Sequence, residues 1–198
     1  GEVIVNWEDN NGVFTRKLFV SRPDNLVVLK FSSDEGASIN TTLSLSKIIR
    51  HDVGRIKKFN LDDNFCIKKV ESGTMDNGLY FKAWYERPWE FESRKSFKGY
   101  EGVVQVLRSD GKIEMDSDRL ILRDATDVLI VARIEPSDNM EESRVLEMSN
   151  ALKSYDGTYD ELLAVHKKIH KELFERVSID LDASEEDRMK SSEELLKL

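Results

Sequence analysis

The chain has 198 residues, a formal net charge of −8 and a pI near 5.1, with 34% charged and 39% hydrophobic residues. Such a balance excludes a phosphate-backbone binder, which needs clustered Lys and Arg, so no nucleic-acid partner is expected. No apolar run approaches the length that spans a bilayer, and no signal peptide is visible, so no membrane partner is expected either. The single cysteine, Cys66, has no internal disulfide partner, and Phe65 and Ile67 on either side mark it as apolar filler rather than a reactive thiol.

From Gly1 to Pro136 the pattern is mostly β. EVIVNWE alternates, Asn10-Asn11-Gly12 supplies a turn, and GVFTRKLFVS returns as its hairpin partner. Pro23-Asp24-Asn25 interrupts before LVVLKFSS, and SINTTLSLS alternates again with Leu43 and Leu45 on one face. A polar connection containing His51 leads to FCIKKVES, then to a turn of the Asn-Gly kind at Asp76-Asn77-Gly78. GLYFKAWYE and YEGVVQVLR follow, a tight turn falls at Ser109-Asp110-Gly111, and KIEMDSD and RLILRDATDVLIVARIE complete the series. Many strands separated by Gly/Asn/Asp turns define a mainly β chain, an antiparallel β-sandwich of supersandwich-like form over 1–136.

Residues 137–198 read as a helical linker segment. Asp138 is the expected N-cap of a helix carrying Val145, Leu146, Met148 and Leu152, and Gly157 separates it from the next. Thr158 and Glu161 form a capping box, after which Leu162, Ile169, Leu173 and Val177 recur at helical spacing. VSIDLD then alternates as a short extended segment, and Ser184 with Asp187 offers a further cap. A helix that buries one face and runs into a strand is a connector between domains, which makes Leu162, His166, Ile169, Leu173 and Arg176 the candidate interdomain packing residues.

Several constellations bear on chemistry. The 38 Asp and Glu residues supply many carboxylate pairs, but none stands in a motif that fixes an acid–base role, so no catalytic residue is assigned. His166 and His170 have the HxxxH spacing of a helical metal clamp, yet no intervening Glu and no nearby Cys completes it. His166 falls in the middle of the apolar helix face, so the pair reads as packing, with no metal and no cofactor expected. The aromatic run from Tyr80 to Phe91 is the best binding candidate. Trp84, Tyr85 and Trp89 have the ring faces, and Glu86 and Arg87 the polar groups, that suit a saccharide. Alternation sends Phe81, Ala83 and Tyr85 to one side and Tyr80, Lys82 and Trp84 to the other, so one set faces away from the core. Trp7 reads as structural. Asn40-Thr41-Thr42 is a glycosylation sequon without a known compartment.

The chain resembles glycoside hydrolase family 95, the inverting α-L-fucosidases and their relatives. The likeness rests on Tyr159, Leu162, His166, Arg176, Val177, Ile179 and Leu181, on Gly12-Val13-Phe14-Thr15-Arg16 with Ser21-Arg22-Pro23-Asp24, and on YEGVVQVLRSDGKI and LILRDATDVLIVARI around Ala125. It departs at the start, where the family has a Gly-Asn-Gly stretch and further strands, and at His170, where an aromatic residue is usual. This resemblance implies the N-terminal, non-catalytic sandwich of an α-L-fucosidase-like hydrolase, a fragment that lacks the start of its domain. The catalytic (α/α) barrel would lie after Leu198, with oligosaccharide reaching the domain only through the parent enzyme. It also implies a secreted or periplasmic location. The alternative is a carbohydrate-binding module using the aromatics around Trp84 and Trp89. A homodimer covering an open sheet edge is a further expected partner state.

Overall fold

The computed structural model describes residues 1–45, 67–85 and 97–176. Among these residues ten strands precede two helices: β1 Glu2–Asp9, β2 Gly12–Ser21, β3 Leu26–Ser33, β4 Ile39–Ser44, β5 Ile67–Met75, β6 Gly78–Tyr85, β7 Gly99–Ser109, β8 Lys112–Asp116, β9 Arg119–Ala125, β10 Asp127–Ser137, α1 Val145–Lys153 and α2 Tyr159–Phe174. Every pairing is antiparallel. Seven strands form one sheet in the order β1-β2-β3-β10-β7-β6-β5, and three form a second in the order β4-β9-β8. The expected sandwich is therefore present.

Period-two alternation gives the large sheet two apolar faces, and each is covered. Phe14, Leu79, Val106, Val128 and Ile130 face the small sheet and pack with Leu120, Leu122 and Ala125 of β9. On the opposite face Phe19, Leu26, Val28, Val103, Leu129 and Val131 meet Val145, Met148 and Leu152 of α1 and Tyr159, Leu162 and Leu163 of α2. The molecule thus has three layers: small sheet, large sheet and helices. Each fully buried aliphatic side chain contributes about 1.5–3 kcal/mol relative to exposure.

The run RLILRDATDVLIVARIE is two strands in two sheets. The chain crosses between them at Thr126, with Asp124 at φ +55°. Asp110, in the β7–β8 turn, holds this corner: its carboxylate accepts the backbone N–H of Thr126 at 2.8 Å and of Asp127 at 3.0 Å. These bonds hold the Asp110 carboxyl at about 2, the Asp127 N–H being the largest influence. Continuous β propensity hides this corner, because a strand that switches sheets keeps its alternation on both sides of the bend.

Two turn details differ from the sequence reading. The β5–β6 loop residues are Asp76 and Asn77, both with positive φ (37° and 59°), as a type I′ turn requires. Gly78 is already the first residue of β6, where an added Cβ would lie 2.7 Å from the Val104 carbonyl oxygen. At the end of β10, Asp138 caps nothing: the chain stays irregular until α1 begins at Val145. The α1 face that packs is Val145, Met148, Ser149 and Leu152, whereas Leu146 points outward and is exposed. In α2 the Thr158/Glu161 capping box is fully formed.

Candidate functional site

The sequence-derived aromatic candidates lie on β6 and separate by alternation. Tyr85 turns to the small-sheet side and approaches Tyr100, with ring centroids 5.4 Å apart. Phe81 meets the same Tyr100 edge-on at 5.3 Å. This cluster folds over Gly102, the residue paired with Phe81, where an added Cβ would stand 2.2 Å from the Phe81 ring. Trp84 points to the other face, with the Lys69 ammonium 4.4 Å from its ring centroid. Trp84 and Tyr85 therefore do not share a surface. Trp89, His51 and Cys66 lie outside the described residues.

The helix candidates divide along the length of α2. Leu162 and His166 are buried in this chain's own core, Ile169 is half-buried, and Leu173 and Arg176 are exposed. His166 lies 5.3 Å from the Phe19 ring and its Nδ1 accepts the backbone N–H of Arg22 at 3.4 Å. Its Nε2 has no partner. Burial holds the imidazole below its ordinary value, with the N-terminal amino group, His170 and Arg22 adding to the effect. His170 stacks on His166 at 5.4 Å, and Phe174 stacks on His170 at 6.0 Å. Among the described residues no group of three His, Cys, Asp or Glu side chains is placed to hold a metal ion.

Trp7, read from the sequence as structural, is also partly open to solvent. The β1–β2 register places it directly opposite Phe14, and the two rings stack with centroids 5.3 Å apart and planes at 17°. Phe14 is buried, so Trp7 has one ring face supported while 39% of the residue stays exposed. The pair forms one wall of a cleft of about 560 Å³ at the open end of the sandwich. Phe31 and Ile39 give it apolar surface, and Asp9, Asn11, Asn40 and Thr41 give it polar groups. The signal was available: a two-residue turn at Asn10-Asn11 pairs Trp7 with Phe14.

A smaller cleft of about 420 Å³ is bordered by Asp76, Gln105, Met115, Lys153 and Tyr155. Asp76 and Lys153 close it with an ion pair of 2.7 Å. The carboxylate shifts at Asp76, Asp110 and Glu161 all run downward, toward the ionised form. A general acid needs the opposite.

A two-sheet antiparallel β domain backed by helices belongs to the class of β-sandwich domains. Its family is more definite. The profile described as glycosyl hydrolase family 65, N-terminal domain, matches residues 1–141, and the chain belongs to that family. The resemblance to family 95 is thereby corrected, and the α-L-fucosidase-like expectation falls with it. The residues that carried it, strand–turn–strand patterns and a capped helix, are imposed by sandwich geometry and say little about which family a sandwich belongs to. No curated protein matches the chain. Among solved structures, a putative kojibiose phosphorylase from human microbiome is similar, with a TM-score of 0.50 and 12% identity. The likeness covers 87% of this chain and 23% of that one, so it shows the fold, and this chain spans about a quarter of that protein's length.

Proposed function

We propose that this domain is the non-catalytic N-terminal scaffold of a carbohydrate-active, phosphorylase-like enzyme of family 65, and that it packs against and orients a catalytic helical barrel of the same polypeptide. Membership of a family of N-terminal domains supports the non-catalytic role. The observation that carries the orienting role is the course of α2. Its first turns, through Tyr159, Leu162, Leu163 and His166, are anchored in the core. Its last turn leaves Leu173 36% and Phe174 74% exposed. A helix fixed at one end and apolar at the other is suited to transmit the orientation of the sandwich to a neighbour. Leu162 and His166 then act as the anchor, and Ile169, Leu173 and Arg176 belong to the other end.

Calorimetry of the whole gene product tests this. A barrel held by the domain unfolds with it in one transition, and a Leu173→Asp/Phe174→Asp variant splits that transition in two. Two independent transitions in the unaltered protein would overturn the reading. The binding-module alternative around Trp84 and Trp89 draws less support, since Lys69 covers one face of Trp84, Tyr85 faces the opposite side, and Trp89 lies outside the described residues.

A further inference from the structure

We propose that the Trp7 cleft is a binding site for a neutral oligosaccharide, seated by stacking a pyranose ring on the exposed face of Trp7.

Trp7 is a fixed platform. The indole is held by its contact with Phe14, which is itself fixed in the intersheet core, so the ring is pre-oriented before any ligand arrives. A sugar ring presents a flat patch of C–H bonds on one side and hydroxyls at its rim. The electron-rich face of an indole complements the first, and flanking hydrogen-bonding groups complement the second.

The rim of the cleft supplies hydrogen-bonding groups. Asp9 Oδ1 accepts the backbone N–H of Asn11 at 2.7 Å, which turns the carboxylate across the hairpin end and leaves Oδ2 for a hydroxyl. The Asn11 amide, the Thr41 hydroxyl and the Asn40 side chain stand around the same cleft. Asn40 Oδ1 accepts the Asp124 N–H at 3.1 Å, and its amide nitrogen makes a long contact of 3.4 Å with the Ser38 carbonyl, so the side chain is positioned.

Among the described residues no Lys, Arg or His borders the cleft, and the one charge there is the Asp9 carboxylate. A nucleotide could stack on Trp7, but its phosphates would meet no cation and one anion. A neutral, hydroxyl-rich ligand meets no such penalty. The volume of about 560 Å³ lies in the usual range for a small-ligand cleft and admits more than one sugar ring.

The walls are also fastened together. Asp34 N–H donates to the Val13 carbonyl at 3.0 Å and the Ser33 hydroxyl to the Ala37 carbonyl at 3.0 Å. Gly12 comes so close to Ala37 that an added Cβ would stand 2.4 Å from the Ala37 Cβ. The segment from Asp34 to Ala37 is thus bound to the β1–β2 hairpin, and the cleft between them is preformed.

The choice of a sugar rests on the carbohydrate-active reading above, while the location rests on geometry alone. The test is a titration of the full chain with kojibiose and with maltotriose, followed by the indole N–H resonances of its three tryptophans. We expect saturable movement of one resonance, identified as Trp7 by its absence in Trp7→Phe. Trp7→Leu, which keeps an apolar contact with Phe14 but removes the platform, should bind roughly tenfold more weakly. Failure of the Trp7 resonance to move with either sugar up to about 20 mM, or movement confined to Trp84 and Trp89, would overturn the proposal. The scaffold reading is decided by calorimetry and does not enter this readout, so the two stand or fall separately.

Discussion

The buried carboxylate of Glu101, on β7, accepts the backbone N–H of Arg144 at 2.8 Å and the Ser143 hydroxyl at 2.7 Å. A strand residue therefore caps the start of α1 in place of a local N-cap side chain. Glu135 on β10 adds to the junction by pairing with Arg144 at 2.6 Å and with Arg133. The helix layer is thus fixed to the large sheet by polar contacts as well as by the apolar cluster beneath it.

Removing this cap should loosen the helix layer. Glu101→Ala leaves the Arg144 N–H and the Ser143 hydroxyl without their acceptor in a buried setting, at a cost of about 1–3 kcal/mol. Glu101→Gln keeps one carbonyl acceptor and should lose about half as much. Urea unfolding followed by circular dichroism measures both, and equal stability of all three proteins would dissociate the contact from the fold.

Gly12 supplies both space and backbone freedom at the hairpin. Its φ is +132° and an added methyl would overlap Ala37. Gly12→Ala should destabilise the chain by roughly 1–3 kcal/mol. Because the same contact closes the Trp7 cleft, the Trp7 indole resonance should shift in the variant without ligand. A variant with unchanged stability and spectrum would show that the loop accommodates the methyl.

His166 makes stability depend on pH. Its folded-state value lies below the ordinary 6.5, chiefly because it is buried. The unfolded chain therefore takes up the proton first as the pH falls. The contribution is fully present above about pH 6.5 and declines from there down through the lower folded value. Tm should fall between about pH 7.5 and 5.5, and His166→Leu should flatten that interval whatever its absolute stability. An equally steep profile in the variant would assign the dependence to another group.

Asp110 acts at lower pH. Its carboxyl is held at about 2 by the Asp127 and Thr126 donors, below the ordinary 3.8. Its contribution is present above about pH 3.8 and is lost as the pH falls through the folded value near 2. Asp110→Asn should remove that acid-limb component and loosen the corner between β9 and β10. Amide exchange at Thr126 and Asp127 reads this directly. Unchanged protection there would mean the corner is held by strand pairing alone.

The order of the strands was legible because alternation is a local property. EVIVNWE and GVFTRKLFVS must each run as a strand with neighbours on opposite faces, and Asn10-Asn11 must reverse the chain between them, whatever lies around. The α2 face was legible for the same reason, since Leu162 and His166 share a helical stripe in any context. Two elements were not. The sheet switch at Thr126 leaves no break in β propensity, and its lock, Asp110, lies sixteen residues away. The start of α1 was misplaced at Asp138 because its cap, Glu101, sits 43 residues upstream.

The candidate site shows the same division. Trp84 and Tyr85 drew attention as neighbours in sequence, yet a pleated strand sends neighbours to opposite faces. Trp7 seemed structural because a lone tryptophan on a strand usually is, and its exposure depends on β4 standing off from β1. The likeness to family 95 rested on local strand and cap patterns, which related sandwich domains share. By itself the sequence determined the β class, most strand positions, the capping box at Thr158 and the acidic surface, all set by nearest-neighbour backbone and solvation preferences. Tertiary structure alone decided which strands share a sheet, which faces the helices cover and where an aromatic ring stays open to solvent. Those depend on contacts between residues far apart in the chain, whose geometry no local pattern encodes.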